Sequence, residues 1–99
     1  MLKQLAEALR LKLDSLPQNP GIYLMHDRDG KVIYIGKAKS LRSRVRSYFQ
    51  DGANDGRRQF KALVRRIADL EYIITDSEQE ALILEATQIK AYKPRYNIL

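Results

Sequence analysis

Two tyrosines stand at matching positions in two apolar segments of the chain, on either side of the turn-forming sequence DRDG. If the turn centres on Arg28 and Asp29, Tyr23 lies directly opposite Tyr34 and both rings share one face of a hairpin. An odd-length turn or a bulge would break this pairing, because a one-residue slip turns a strand's side chains to the other face. Cross-strand aromatic packing is the alternative explanation for the pair.

A glutamate stands on the apolar arc of a predicted helix near the end of the chain. At about 100° per residue, Glu85 falls between Ala81, Leu82 and Ile89, with Tyr92 nearby. Burying an unpaired carboxylate costs several kcal/mol, so we expect a cation, a hydrogen-bond donor or a metal beside it. A metal or catalytic role is the sharper hypothesis, and a structural ion pair with an arginine is the alternative.

An arginine and a third tyrosine share another predicted helix. Arg44 lies one turn before Tyr48 and flanks the apolar stripe of that helix. Its stem could simply cover the core while its charge stays in water, so its position alone does not decide its role.

The composition narrows the class of partner. The 99 residues carry 18 Lys and Arg against 12 acids, a net charge of +6, which suggests a polyanionic partner, with a solvated basic surface as an equally weighted alternative. The absence of cysteine excludes disulfides, thiol chemistry and zinc fingers. Without a membrane-spanning run or a secretory signal, we expect a cytoplasmic protein that uses no membrane.

The elements that must position these residues follow from periodicity and turn signals. Leucines from Leu2 to Leu16 predict a first helix, which Pro17 and Pro20 end. Residues 21–26, 31–36 and 70–75 are rich in Ile, Val, Leu and Tyr and predict three strands, the first two an antiparallel hairpin.

Three further helices are predicted around the strands. One spans residues 39–49, and a second, after a loop at residues 51–56, turns Phe60, Leu63, Val64 and Ile67 inward. Ser77 with Glu80 forms a capping-box signature that opens the last helix, which runs to Ala91 before Pro94 ends regular structure. The predicted fold is α/β, a small three-stranded antiparallel sheet flanked by helices, in a single domain over residues 1–99.

The two strand motifs resemble those of the GIY-YIG nuclease superfamily. Gly21-Ile22-Tyr23 is followed, after ten residues, by Tyr34-Ile35-Gly36, and then by an arginine-bearing and a glutamate-bearing helix. Residues 20–25, 32–41, 44–49, 80–85 and 93–97 resemble, in order, the N-terminal domain of UvrC-type nucleotide excision repair endonucleases. The resemblance covers about residues 15 to 99 and implies the GIY-YIG nuclease fold.

The resemblance implies an active site made of Tyr23, Tyr34, Lys37, Arg44, Tyr48, Glu85 and Asn97. Glu85 would hold one Mg²⁺ (or Mn²⁺) ion, since a single carboxylate suffices when water and phosphate complete the shell. Tyr34 would take the proton of the attacking water; alternatively, a hydroxide on the metal attacks and Tyr34 relays its proton. Arg44 would clamp the scissile phosphate, because its planar fork matches two phosphate oxygens.

The remaining site residues have supporting roles under the same resemblance. Lys37 would add a second positive charge, while Tyr23, Tyr48 and Asn97 would orient the site. Further basic residues are expected to contact the DNA backbone without reading sequence: Lys39, Arg42, Arg46, Arg57, Arg58, Arg65 and Arg66.

The implied activity is metal-dependent hydrolysis of a DNA phosphodiester, the 3′ incision in nucleotide excision repair. The substrate would be damaged double-stranded DNA, and the partners UvrB, with UvrA upstream, through regions of a longer protein. Two alternatives stay open: a stand-alone structure-specific or homing-type nuclease, and a non-catalytic DNA-binding module.

Overall fold

The computed structural model describes residues 6–50 and 58–98, with the backbone alone at residues 58 and 59. Within them the chain forms α1 (Glu7–Asp14), β1 (Gly21–His26), β2 (Val32–Ala38), α2 (Leu41–Ser47), α3 (Arg58–Arg66), β3 (Asp69–Ile74), α4 (Glu78–Tyr92) and α5 (Arg95–Ile98). The strands form one antiparallel sheet in the order β2-β1-β3. The predicted three-stranded antiparallel sheet flanked by helices is confirmed. The predicted loop at residues 51–56 and the start of the predicted first helix lie outside the described residues.

The sheet separates two hydrophobic clusters because neighbouring residues of a strand point to opposite faces. Tyr23 and Met25 enter the larger cluster, on the side of α1, α2 and α3. Ile22 and Leu24 enter the smaller one, which α4 closes with Ala81. Burying one such side chain fully contributes about 1.5–3 kcal/mol, so both faces of β1 stabilise the fold.

The hairpin register differs from the predicted one by two residues. Tyr23 pairs with Gly36 and Tyr34 pairs with Met25, so the predicted direct pairing of the two tyrosines is wrong. Two single-residue shifts cause this. The turn takes an extra residue at Gly30, whose φ is 79°, and β2 bulges at Ile33. Because the two shifts sum to an even number, both tyrosines still lie on one face.

The segment between α1 and β1 fixes the start of α2. The first free backbone N–H groups of α2 donate to this segment, Leu41 N to Asn19 O at 3.0 Å and Arg42 N to Pro17 O at 3.0 Å. Ser40 caps the same end by accepting from Ser43 N. The prolines therefore end α1 and also anchor the helix that carries Arg44.

The predicted end of regular structure at Pro94 is wrong. Lys93 adopts a left-handed conformation with φ 47° and closes α4, and α5 begins directly after the buried Pro94. Proline is tolerated at the start of a helix, because the N–H that it lacks would have no partner there. The predicted second strand and the helix after it also differ at their ends, since β2 extends to Ala38 and α2 begins at Leu41.

Within residues 6–50 and 58–98, no helix is both long and apolar enough to cross a bilayer.

Candidate active site

A polar cleft of about 830 Å³ brings together predicted site residues from four elements. Its lining includes Tyr23 of β1, Tyr34 and Lys37 of β2, Arg44 of α2 and Glu85 of α4. These residues are up to 62 positions apart in the chain, from 23 to 85, so only the fold places them together. The cleft lies beside β2, which is an edge strand of the sheet.

Three tyrosines form a triangle of rings at the back of the cleft. The ring centroids of Tyr23 lie 6.3 Å from Tyr34 and 5.8 Å from Tyr48, and those of Tyr34 and Tyr48 lie 6.4 Å apart. The hydroxyls of Tyr23 and Tyr48 are hydrogen-bonded at 2.8 Å. Phe60 of α3 stacks on the outer side of Tyr48 with a centroid distance of 5.4 Å. The rings are therefore held by packing from both sides, and Tyr23 and Tyr34 both line the cleft.

The two motif glycines make room for this arrangement. A Cβ on Gly36 would collide with the phenol of Tyr23, which lies directly over its backbone. A Cβ on Gly21 would collide with the backbone carbonyl of Ile73 in the neighbouring strand. Each glycine of the paired motifs is thus required by a close approach, of a side chain in one case and of β3 in the other.

Burial keeps the phenols of the cleft in their neutral form. The pKa of Tyr34 is raised to about 12, mainly by burial and also by Tyr48 and the Glu85 carboxylate, while Arg44 lowers it. Burial also raises the pKa of Tyr23, which the hydrogen bond to Tyr48 and the Arg44 guanidinium only partly offset. At a pKa of about 12, roughly one Tyr34 in 10⁵ is ionised at pH 7.

Arg44 faces the tyrosines because the other arginines of α2 hold the opposite side of the helix. Its guanidinium carbon lies 5.6 Å from the centroid of the Tyr48 ring. Across the helix, Arg42 Nε donates to Leu16 O at 2.8 Å and Arg46 pairs with Asp14 at 2.9 Å. These bonds fix the rotation of α2 and leave the Arg44 fork directed at the cleft.

Lys37 contributes positive charge from the side of α4. Its ammonium lies 3.7 Å from the Glu78 carboxylate, and both side chains are partly exposed. A pair of this kind is worth about 1 kcal/mol or less in water, so the lysine stays available to an incoming anion.

Glu85 lies at the border of the helix face that was predicted to be apolar. The predicted burial is wrong for two members of that arc, since Leu82 and Tyr92 are each 52% exposed, while Ala81 is fully buried. The reason is that α4 lies mainly over the edge strand β2 and overhangs it. Glu85 is consequently half-buried and lines the polar cleft opposite Arg44.

The donor set of the cleft fits one divalent ion held by a single carboxylate. Among the described residues, Glu85 takes part in no ion pair within 4.0 Å, and no group of three or more His, Cys, Asp or Glu is close enough to form a multi-ligand site. A Mg²⁺ ion binds through one or two carboxylates and completes its shell with water and phosphate oxygens. An uncommitted carboxylate beside open space satisfies that requirement.

Asn97 supports the site from outside the cleft. Its Oδ1 accepts from Ile35 N at 2.8 Å and its Nδ2 donates to Ile35 O at 2.9 Å. Both polar atoms are therefore engaged by the residue between Tyr34 and Gly36, and Asn97 fastens α5 to the edge of β2.

The other predicted DNA-binding residues do not form one surface. Lys39 lines the cleft, whereas Arg65 and Arg66 line a second cavity near the hairpin turn. Arg42 and Arg46 lie on the other side of α2 and make intramolecular contacts there, Arg42 to Leu16 O and Arg46 to the exposed Asp14, and their contact with DNA stays a prediction. The side chains of Arg57 and Arg58 lie outside the described residues.

Three serines of the cleft were missed by the sequence analysis. Ser40, Ser43 and Ser47 line it beside Arg44. Their spacing of three and four residues places them on one side of α2, so a projection of that helix around Arg44 would have found them.

The fold and the cleft together define a class of protein. A three-stranded antiparallel sheet carries Gly-Ile-Tyr on one strand and Tyr-Ile-Gly on the next, and two helices bring an arginine and a glutamate to the same tyrosines. This is the arrangement of a GIY-YIG domain. The model of the UvrC-like GIY-YIG domain matches residues 19–98, and the chain belongs to this family.

Named relatives support the assignment of the chain to this family. The chain is 58% identical over 88 residues to UvrABC system protein C of Clostridium novyi, and 57% identical over 90 residues to that of Moorella thermoacetica. These matches cover 89% and 91% of the chain but only 14% of either relative. Among solved structures, the GIY-YIG N-terminal endonuclease domain of UvrC from Thermotoga maritima, bound to magnesium, has a TM-score of 0.78 at 39% identity. This match covers 93% of the present chain and 98% of the Thermotoga maritima chain.

Proposed function

We propose that this chain is a Mg²⁺-dependent DNA endonuclease domain that makes the 3′ incision in nucleotide excision repair. The observation that carries the proposal is the single cleft in which Tyr34, Arg44 and Glu85 meet. Hydrolysis of a phosphodiester requires an aligned water, a group that handles its proton, and positive charge at the developing phosphorane oxygens. The cleft offers a residue for each requirement.

Arg44 and Lys37 bind the scissile phosphate. The guanidinium of Arg44 is planar and can donate to two phosphate oxygens at once, which a lysine cannot do. Lys37 adds a compact charge from the opposite side of the cleft and exchanges its weak pairing with Glu78 for the phosphate. The three serines of α2 offer hydroxyl donors along the same wall.

Tyr34 orients the attacking water and relays its proton. Because its pKa of about 12 keeps the phenol neutral, its oxygen accepts a hydrogen bond from the water while its own hydrogen passes on to solvent. The raised pKa disfavours a standing phenolate base in the metal-free protein. Tyr23 and Tyr48, bonded to each other, hold the Tyr34 ring in place.

A magnesium ion held by Glu85 would supply Lewis-acid charge beside the phosphate. The open side of the cleft leaves room for the water and phosphate oxygens that this ion requires. Manganese, which favours the same oxygen ligands, is expected to substitute.

The wider assignment rests on the relatives. The relatives described above are named UvrABC system protein C. We therefore assign the substrate as damaged duplex DNA and the partners as UvrA and UvrB. Those partners would bind other parts of a longer protein, parts that the chain does not span. Genomic DNA as substrate implies a cytoplasmic site of action.

The test is a nicking assay on an end-labelled damaged duplex, in Mg²⁺ and in EDTA, with and without UvrA and UvrB. We expect Mg²⁺-dependent nicks on the 3′ side of the lesion and a roughly 10²-fold lower rate for Arg44→Lys, which keeps the charge and loses the fork. Arg10→Lys, on exposed α1, is the control and should nick at the wild-type rate. Equal rates for Arg44→Lys and wild type, or nicks confined to the 5′ side, would refute the assignment.

A further inference from the structure

A second cavity, of about 770 Å³, lies at the other end of the hairpin from the cleft. The hairpin turn, the C-terminal end of α3 and the start of α5 enclose it. Four arginines from these three elements line it, together with one tyrosine: Arg28, Arg65, Arg66, Arg95 and Tyr96. No residue of this cavity belongs to the cleft.

The positive charge of this cavity is available to a ligand. Among the described residues, none of its arginines forms an ion pair within 4.0 Å, in contrast to Arg46 on α2. Two acids, Asp27 and Asp29, also line the cavity, so its four arginines leave a net positive charge. The carboxylate of Asp27 is occupied by the turn, since it accepts from Asp29 N and Lys31 N, each at 2.9 Å. The Arg95 guanidinium lies 5.5 Å from the centroid of Tyr96, which holds its plane while leaving its N–H groups free to donate.

The backbone connects this cavity rigidly to the cleft. Asn97, two residues after Arg95, is bonded to both backbone groups of Ile35, which lies between Tyr34 and Gly36. Along β2, five residues separate the turn from Gly36, a distance of roughly 16 Å at about 3.3 Å per residue.

We propose that the cavity lined by Arg28, Arg65, Arg66 and Arg95 is a second phosphate-binding site. It holds the DNA backbone away from the phosphate in the cleft, and the inference rests on the proposed nuclease function. Arginine forks match phosphate oxygens bidentately, and contacts of this kind position a duplex without reading its sequence. An acidic protein surface would be a different ligand, and a separate arm of the experiment addresses it.

The experiment compares two double variants that remove the same charge. Arg66→Gln with Arg95→Gln empties half of the cavity's positive charge, whereas Arg10→Gln with Lys90→Gln removes two exposed charges elsewhere. Binding to a labelled duplex of about 20 base pairs is measured by fluorescence anisotropy in EDTA over a range of salt. The cavity variant should bind about tenfold more weakly, with the slope of log K against log salt reduced by about 1.8.

Further arms make the result decisive. Arg66→Lys with Arg95→Lys should restore the salt slope, which separates lost charge from lost folding. An unchanged slope in the cavity variant, or an equal loss in the control variant, would overturn the proposal. So would tight, cavity-dependent binding of poly-glutamate, which would point to an acidic protein partner. Nicking by the wild type in Mg²⁺ is scored separately: a chain that never nicks but shows the slope change refutes the nuclease function and supports the DNA site.

Discussion

At the scale of single residues, the tyrosines of the cleft differ in what their hydroxyls do. Those of Tyr23 and Tyr48 are hydrogen-bonded to each other at 2.8 Å, whereas Tyr34, which lines the cleft together with Tyr23, Arg44 and Glu85, lies outside this pair. The hydrogen bond between Tyr23 and Tyr48 gives two hydroxyls a partner. It also explains why a polar group can stay buried beside the core, since the described residues leave no buried side-chain polar atom without a partner.

Replacement of Tyr34 tests both its chemistry and its pKa. Its folded pKa is about 12 against an ordinary 10.0, so the folded state holds the phenol proton more strongly than the unfolded one. The stability that this contributes is fully present below pH 10 and is lost as the pH rises through about 12. We expect the free energy of unfolding of the wild type to fall more steeply than that of Tyr34→Phe over this window, measured by urea denaturation.

The same variant should nick DNA about 10²–10⁴-fold more slowly at neutral pH, because it cannot relay a proton. Parallel stability curves for the two proteins would contradict the raised pKa, and a wild-type nicking rate would reduce Tyr34 to a packing residue.

The site residues were accessible to sequence reasoning to different degrees. Tyr23, Tyr34, Arg44 and Glu85 could be predicted because their motifs are local and ordered along the chain. The raised pKa of Tyr34 could not, because it depends on the burial that three other elements produce.

At the scale of elements, close approaches of a strand and of a side chain explain why the two motif positions are glycines. Gly36→Ala would drive a methyl group into the phenol of Tyr23, a residue that is only 1% exposed. We expect about 1–3 kcal/mol of destabilisation from overpacking. Displacement of the ring by about 1 Å would also lower the nicking rate by about 10²-fold. Chemical denaturation and nicking measure the two effects, and a fully active Gly36→Ala protein would contradict the close approach.

Asn97 ties the short helix α5 to β2 by two hydrogen bonds. Asn97→Ala removes two hydrogen bonds and leaves the backbone groups of Ile35 without their partner, which should cost about 1–3 kcal/mol. Hydrogen exchange at the Ile35 amide should become faster in Asn97→Ala, because the amide loses its partner. Asn19→Ala, at an exposed asparagine of the loop before β1, serves as the control. Unchanged protection of the Ile35 amide would show that α5 is held by other contacts.

The elements themselves were largely predictable, and their relations were less so. β1 and the Ser77 cap of α4 follow from β-propensity and capping chemistry at the residues predicted. The register of the hairpin depended on a bulge at Ile33 that no local signal marks. α5 was hidden because Pro94 signals an end of one helix and equally permits the start of another.

At the scale of the whole molecule, the distribution of charge organises the function. The net charge of +6 predicts a polyanionic partner, yet the sum does not show where the charges lie. The fold places some of these positive charges in the cleft, some in the second cavity and some in the contacts that anchor α2. The partition could not be predicted, because residues 28, 66 and 95 meet only through tertiary structure.

The placement of α4 over the edge of the sheet is also a feature of the whole molecule. Because α4 lies over the edge strand, Glu85 reaches the cleft from the far side of the sheet, and Leu82 stays in solvent. A helix centred on the sheet would have buried the carboxylate among apolar side chains. The acid of the site is therefore defined by its polar neighbours and its open side, and less by desolvation.

The most direct test of the account is the Mg²⁺ dependence of nicking by Glu85→Gln, which keeps the shape of the side chain and removes its charge. Glu80→Gln, an exposed acid on the same helix, is the matched control. We expect Glu85→Gln to bind duplex DNA in EDTA as tightly as the wild type and to produce no nicks at any Mg²⁺ concentration, while Glu80→Gln remains active. A Glu85→Gln protein that nicks at the wild-type rate, with the same Mg²⁺ dependence, would contradict it.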